Sequence, residues 1–247
     1  MKVSIITAVY NNRETLEQCI KSVAGQNYEN VEHIVMDGGS TDGSLEIIKQ
    51  YQAGISHWTS EKDDGVYHAL NRGIESATGD VIGFLHADDI YTDKNVIDWV
   101  VSGMLNYNVE SCYGDLLYVS RRNINRPVRR WISSPYSEGL FEKGWMPPHP
   151  TFFVKRAAYI KYGRFNTDFK IAADYELMLR LLGNHKISTC YIPRVLVRMR
   201  TGGTSNRSIK NLIVKSYEDY NACKINNLKH GLYTVLLKNL SKVHQFF

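Results

Sequence analysis

Apolar residues dominate Val3–Val9, and the next apolar positions, Leu16, Ile20 and Val23, recur at helical spacing. The same exchange of periods then repeats. A strand is expected at 31–36, a helix at 44–51 through Leu45, Ile47 and Ile48, and a short strand at His57–Ser60. Val66, Ala69, Leu70 and Ile74 place a helix at 65–77; a buried strand at 81–85 and a helix at 94–105 follow. Strands alternating with helices predict an α/β fold. The second half is less regular. Strands are expected at 112–119, 151–154, 187–192 and 195–199, and helices at 157–162 and 174–182. The arginine-rich stretch after 119 reads as an exposed loop or hairpin. Residues 133–150, rich in Pro, Gly and aromatics, read as a loop system shaping a pocket. Residues 201–205 read as a flexible loop, and the chain from Ser208 as mostly helical.

Composition narrows the function classes. In 247 residues there is no apolar run of about 18 or more, so no membrane span is expected. The chain starts Met1-Lys2 and enters a strand at once, without a secretory pattern. Cys19, Cys112, Cys190 and Cys223 form no Cys-x-x-Cys pair and read as reduced thiols of a cytoplasmic protein. Charge is uneven: six lysines against Glu218 and Asp219 place +4 of the net +5 after residue 207. Such a basic, partly apolar tail suits an anionic membrane surface, or is a helix packed on the body with its lysines in water. No nucleic-acid-binding motif appears.

The chemistry gathers at strand ends. Two carboxylates, Asp88 and Asp89, follow the apolar run 81–85, where open α/β sheets bind ligands. Burying them is costly unless a cation compensates, and oxygen donors suit Mg2+ or Mn2+. Asp37 ends the second strand ahead of Gly38-Gly39-Ser40-Thr41-Asp42-Gly43, where glycines permit close approach of a ligand. Asp42 and Ser40 are explained by helix capping; Asp37, ahead of the turn, is not. The first strand ends Thr7-Ala8-Val9-Tyr10-Asn11, with no Gly-x-Gly-x-x-Gly and no Walker lysine.

Taken in order, these segments resemble the family 2 inverting glycosyltransferases of GT-A fold. The resemblance is carried by Ala8-Val9-Tyr10-Asn11, Asp37-Gly38-Gly39-Ser40-Thr41-Asp42-Gly43, Asp63-Asp64-Gly65-Val66-Tyr67 and Ala87-Asp88-Asp89. It continues through Pro148-His149-Pro150-Thr151, Ala172-Ala173-Asp174-Tyr175-Glu176 and Gly202-Gly203-Thr204-Ser205. The group that assembles bacterial O-antigen, capsule and exopolysaccharide is the most similar. The resemblance implies a Rossmann-like mixed sheet flanked by helices over residues 1–207, with a helical extension at 208–247. It implies transfer of a hexose or N-acetylhexosamine from a nucleotide diphosphate sugar, a UDP-sugar favoured, to a glycan on a polyprenyl diphosphate at the inner membrane's cytoplasmic face. Asp89, with Asp88, would hold the divalent metal; Ala8, Tyr10, Asp37 and Asp63 would line the nucleoside pocket; Asp88 would alternatively bind ribose. Asp174 would be the general base, and His149 a donor or acceptor contact or a structural loop histidine.

Three positions depart from the family pattern. Gly38 stands where many members carry a second acid, Ala173 where many carry Glu, and Arg200 where a His is common. An arginine cannot ligate a metal but can clamp a diphosphate with its planar fork. Nucleotidyl transfer and a non-catalytic basic binding module are the competing classes.

Overall fold

The computed structural model describes residues 1–202 and 209–240. Four strands, β1 (Val3–Val9), β2 (Val31–Asp37), β3 (His57–Ser60) and β4 (Val81–Phe84), lie parallel in the order β3-β2-β1-β4. Helices α1 (Leu16–Ala24), α2 (Ser44–Gln50) and α3 (Val66–Ser76) make the crossovers. Parallel pairing aligns the C-terminal ends of all four strands along one sheet edge, which brings the acidic segments together. Beyond β4 the sheet turns mixed. It continues through β8 (Phe153–Lys155), β6 (Ser111–Val119), β9 (Thr189–Arg200) and the two-residue β5 (Ile90–Tyr91), with β7 (Pro127–Trp131) hairpinned onto β6. α4 (Val96–Asn106) packs behind β9 and β6. The arginine-rich stretch is thus a hairpin arm.

Three expectations need correction. The strands expected at 187–192 and 195–199 are one strand, β9, which starts only at Thr189. Its register against β6 slips between Ile192, opposite Gly114, and Val195, opposite Asp115, so Pro193 is passed at a bulge where its missing N–H breaks no ladder bond. Thr151 closes a 3-10 turn rather than opening β8. The helix expected at 174–182 is α-helical only over α6 (Ala173–Met178) and runs on as a π-helical stretch over Leu179–Asn184.

The C-terminal helices α7 (Ile209–Ile225) and α8 (Gly231–Leu240) pack on the body, after α5 (Arg156–Tyr162) and α6 complete its helical layer. Ala222, Cys223 and Val235 join the core cluster that contains Ala172, Ala173 and Tyr175. Gly144, at φ +77, lets α8 approach so closely that a Cβ there would lie 2.3 Å from the Lys238 backbone nitrogen. The lysines do not all face water. Lys238 Nζ is buried 2.7 Å from Asp219 Oδ1 and 3.2 Å from the Tyr175 ring centroid, and Lys215 bonds Asp219 Oδ2 at 2.8 Å. Lys224 and Lys229 are exposed, while Leu212, Ile213, Tyr217, Leu232, Leu236 and Leu240 face outward. The Gly203-Thr204-Ser205 part of the loop, the Lys210 side chain, Lys242 and Phe246 lie outside the described residues.

Burial works against the Asp219 carboxylate, yet Lys238 and then Lys215 hold it below its ordinary 3.8. Its stabilising contribution is therefore present above that pH and lost as acid protonates it. Asp219→Asn would strand two partly or wholly buried cations and should cost about 3–5 kcal/mol in a urea titration at neutral pH. A cost under about 1 kcal/mol would mean that water already reaches the pair.

Candidate active site

β1, β2 and β3 end in a polar loop system that spends its hydrogen bonds on itself. Asp37 is fully buried. Its Oδ2 accepts from Gly39 N (3.2 Å), Ser40 N (3.1 Å) and Ser60 Oγ (2.6 Å), and its Oδ1 from Ser40 Oγ. Asp37 therefore braces the loop that follows β2 against the end of β3. Asp42 bonds Arg13 N and Ser44, tying the start of α2 to the β1 loop. Tyr10, 64% exposed, directly follows β1, whose residue Ala8 is half-buried. At Gly38, a Cβ would lie only 2.8 Å from Asp63 Oδ2. The carboxylate of Asp63 thus occupies the space that a second acid at position 38 would enter, which gives the departure at Gly38 a local physical reason. Asp63 Oδ1 also accepts from Gly65 N at the entry to α3.

At the end of β4 the acidic turn is held by β9. Asp89 is 1% exposed; its Oδ1 accepts from Arg200 N at 3.1 Å, and its Oδ2 is buried without a partner. Burial first, then the neighbouring Asp88, push the Asp89 carboxyl well above its ordinary value, against the pull of Arg200. An acid in that state is stabilised by any cation that reaches it. Arg200, itself buried, donates through Nη1 to the Asp88 carbonyl and through Nη2 to Gln18 Oε1. It also lines an open pocket of about 640 Å³ between Glu14 and Gln18 near the start of α1 and Arg121 and Arg122 after β6. Three arginines in one pocket favour an anion. Among the described residues, no group of three or more His, Cys, Asp or Glu side chains is placed to hold a metal. The orphaned oxygen of Asp89 beside Asp88 nevertheless fits a hard cation that takes its remaining ligands from a bound diphosphate or water.

Asp174 lies in the first turn of α6. Ala172 is the residue at the helix cap, and the Asp174 side chain makes no capping bond. Its Oδ2 lies 3.2 Å from His149 Nδ1, and its Oδ1 3.4 Å from the Tyr67 hydroxyl, which donates to the Ile171 carbonyl at 2.8 Å. Burial lowers His149 below its ordinary value and outweighs the opposing pull of Asp174. Burial, then Asp174, raise Tyr67, so that hydroxyl keeps its proton. The His149 and His86 rings meet edge to face at 5.9 Å, joining the Asp174 side of the site to the acidic turn two residues after His86. Asp89 and Asp174 both act on the half-buried Tyr118, whose hydroxyl is pushed up by burial and partly relieved by Arg129, 4.4 Å over its ring. Contacts thus run from Asp174 through His149 to His86, two residues before Asp88, while Asp88, Asp89 and Arg200 meet after β4; Ala8 and Tyr10 lie at the end of β1, and Asp63 follows β3.

Sequence reasoning missed Tyr67, Gln18, His86 and Tyr118. Tyr67 ends a quoted motif and His86 directly precedes Ala87-Asp88-Asp89, but neither was given a role; Gln18 and Tyr118 lie in no motif and come from α1 and β6. Trp145 and Tyr136, aromatics that fit a core role better than sugar stacking, close an aromatic cluster with Tyr113 and Phe141.

Residues 4–163 match the model for glycosyl transferase family 2. The chain belongs to that family. An uncharacterized glycosyltransferase of Mycobacterium tuberculosis is 34% identical over 183 residues, spanning 72% of this chain and 68% of that protein. A PGL/p-HBAD biosynthesis glycosyltransferase of Mycobacterium bovis is 28% identical over 218 residues, covering 86% of this chain and 82% of the relative. Among solved structures, S. aureus TarS in complex with UDP-GlcNAc superposes with a TM-score of 0.72 at 16% identity, over 99% of this chain and 69% of that one. Mannosyltransferase PcManGT from Pyrobaculum calidifontis, in complex with GDP-Man and Mn2+, gives 0.63 at 17% identity, over 98% and 75%. At such identities these two establish the fold, the GT-A type of mixed sheet flanked by helices. Family membership sets aside nucleotidyl transfer and the non-catalytic binding module.

Asp89→Asn keeps an acceptor for the Arg200 N–H and removes the buried charge. In metal-free buffer at neutral pH, its thermal midpoint should equal or exceed that of the unsubstituted protein. A loss of about 2 kcal/mol or more would mean that the Asp89 carboxylate is already compensated inside the protein.

Proposed function

We propose that this glycosyltransferase moves a hexose or N-acetylhexosamine from a nucleotide diphosphate sugar, UDP-linked in preference, to a glycan acceptor with inversion. The reading is carried by the run of contacts from Asp174 through His149 to His86, two residues before the acidic turn Asp88-Asp89. In this account Tyr10 offers its ring to the base, while Ala8, Asp63 and the loop braced by Asp37 line the nucleoside pocket. Asp89 and Asp88 would hold Mn2+ or Mg2+, which when bound offsets charge on the departing diphosphate. Arg200, in its arginine-lined pocket, clamps the same diphosphate from the side of α1.

The acceptor hydroxyl approaches the anomeric carbon on the face opposite the diphosphate and loses its proton to an Asp174 oxygen. The new C–O bond forms as the bond to the diphosphate breaks, and the electron pair leaves with the phosphate oxygen. One displacement inverts the anomeric configuration. Neutral His149 orients the Asp174 carboxylate and borders the acceptor. Asp174→Asn should lower turnover about 100- to 10,000-fold and leave donor affinity, read by calorimetry, within a few-fold. Near-normal turnover at saturating donor with collapsed affinity would make Asp174 a binding residue.

The acceptor in this reading is a lipid-linked glycan in bacterial surface polysaccharide assembly, met at the cytoplasmic face of the membrane. No helix among the described residues is long and apolar enough to cross a bilayer. Support for surface attachment comes from the outward side of α7 and α8, where Leu212, Ile213, Tyr217, Leu232, Leu236 and Leu240 are 49–68% exposed near Lys224 and Lys229. Cosedimentation with anionic vesicles at low salt should exceed that with neutral ones and weaken as salt rises. Indifference to anionic vesicles at low salt would remove the membrane part of the proposal.

A further inference from the structure

We propose that Glu218, on α7, is a positioning residue for catalysis that fixes the backbone carrying Asp174. The inference rests on the reading of Asp174 as the base. Glu218 is 8% exposed, and both its oxygens are spent on one short segment. Oε1 accepts from Lys170 N at 2.9 Å, and Oε2 accepts from Ile171 N and Ala172 N at 2.8 Å each. Bonds from N–H groups to a charged carboxylate are short and strong for their kind. The Lys170 and Ile171 donors lie ahead of α6, which begins at Ala173, so the carboxylate does more than satisfy the free N–H groups of a helix end.

The same segment is held from its other side, where the Tyr67 hydroxyl donates to the Ile171 carbonyl. Residues 170–172 are thus pinned through their N–H groups by α7 and through a carbonyl by α3, two residues before Asp174. The C-terminal extension also braces the facing loop. Thr234 Oγ1 on α8 donates to the Glu142 carbonyl at 3.2 Å, and the α8 backbone packs on Gly144, five residues before His149. The extension therefore touches both arms that set Asp174 against His149. Loss of the Glu218 grip frees the Asp174 segment by fractions of an ångström to an ångström, and a displaced base slows chemistry without altering donor contacts made at the strand ends.

The test measures kcat at saturating donor, donor affinity by calorimetry, and melting temperature for Glu218→Gln, Asp174→Asn and the double variant. Glu218→Gln should lose about 10- to 100-fold in kcat with donor affinity within about twofold. In the Asp174→Asn background the same change should cost no more than about twofold, because Glu218 acts through Asp174. If Glu218→Gln does not fold, Glu218→Asp, one methylene too short to reach all three donors, should show the kcat loss instead. Wild-type kcat in a folded Glu218 variant, with Asp174→Asn inactive, would overturn the positioning role and leave the base reading intact. Wild-type kcat in Asp174→Asn would overturn the base reading and this inference with it.

Discussion

The site depends on a carboxylate buried where a parallel strand ends. Asp89 has one oxygen bonded to the Arg200 backbone and one with no partner, in surroundings that disfavour its charge. A fold selected for stability alone would place an apolar or amide side chain there. The sequence instead puts Asp88 beside it and lets β9 return to the same point, so that Arg200 supplies a backbone donor to one acid and a guanidinium to the carbonyl of the other. The parallel register of β1, β2 and β3 then brings Tyr10, Asp37 and Asp63 to the same sheet edge. Each of these acids except Asp89 is either internally bonded or open to solvent, so the unsatisfied charge is confined to one oxygen.

The second half of the molecule fixes the segment that carries Asp174. α6 is too short to fix itself, and its leading segment is fixed by groups from α3 and α7 instead. The C-terminal helices thus hold the segment that leads into Asp174, although the family match ends at residue 163. Their inner side is tied down by Glu218, Asp219 and Lys238, while their outer side keeps large apolar residues in solvent.

Much of the sheet was legible from period alone, because β1, β2 and β4 are buried on both faces and read as short apolar runs bounded by turns. The strand-end acids were legible because charge at such positions opposes burial. Pro193 obscured the continuity of β9, since a bulge that accommodates proline depends on the partner strand. Asp37 showed its position but not its four internal bonds. Lys238 was unreadable as a buried cation because its compensation, Asp219, sits 19 residues away on another helix. Glu218 reaches donors 46 to 48 residues earlier, a separation over which no local periodicity reports.

The central claim is that the unpartnered oxygen of Asp89 serves a metal that meets a diphosphate. Calorimetric titration of Mn2+ into the protein, with and without a saturating nucleoside diphosphate, tests it most directly. One Mn2+ per chain should bind, more tightly when the diphosphate is present, and Asp89→Asn should lose that coupling. Equal Mn2+ binding by the two proteins, with no dependence on the diphosphate, would contradict it.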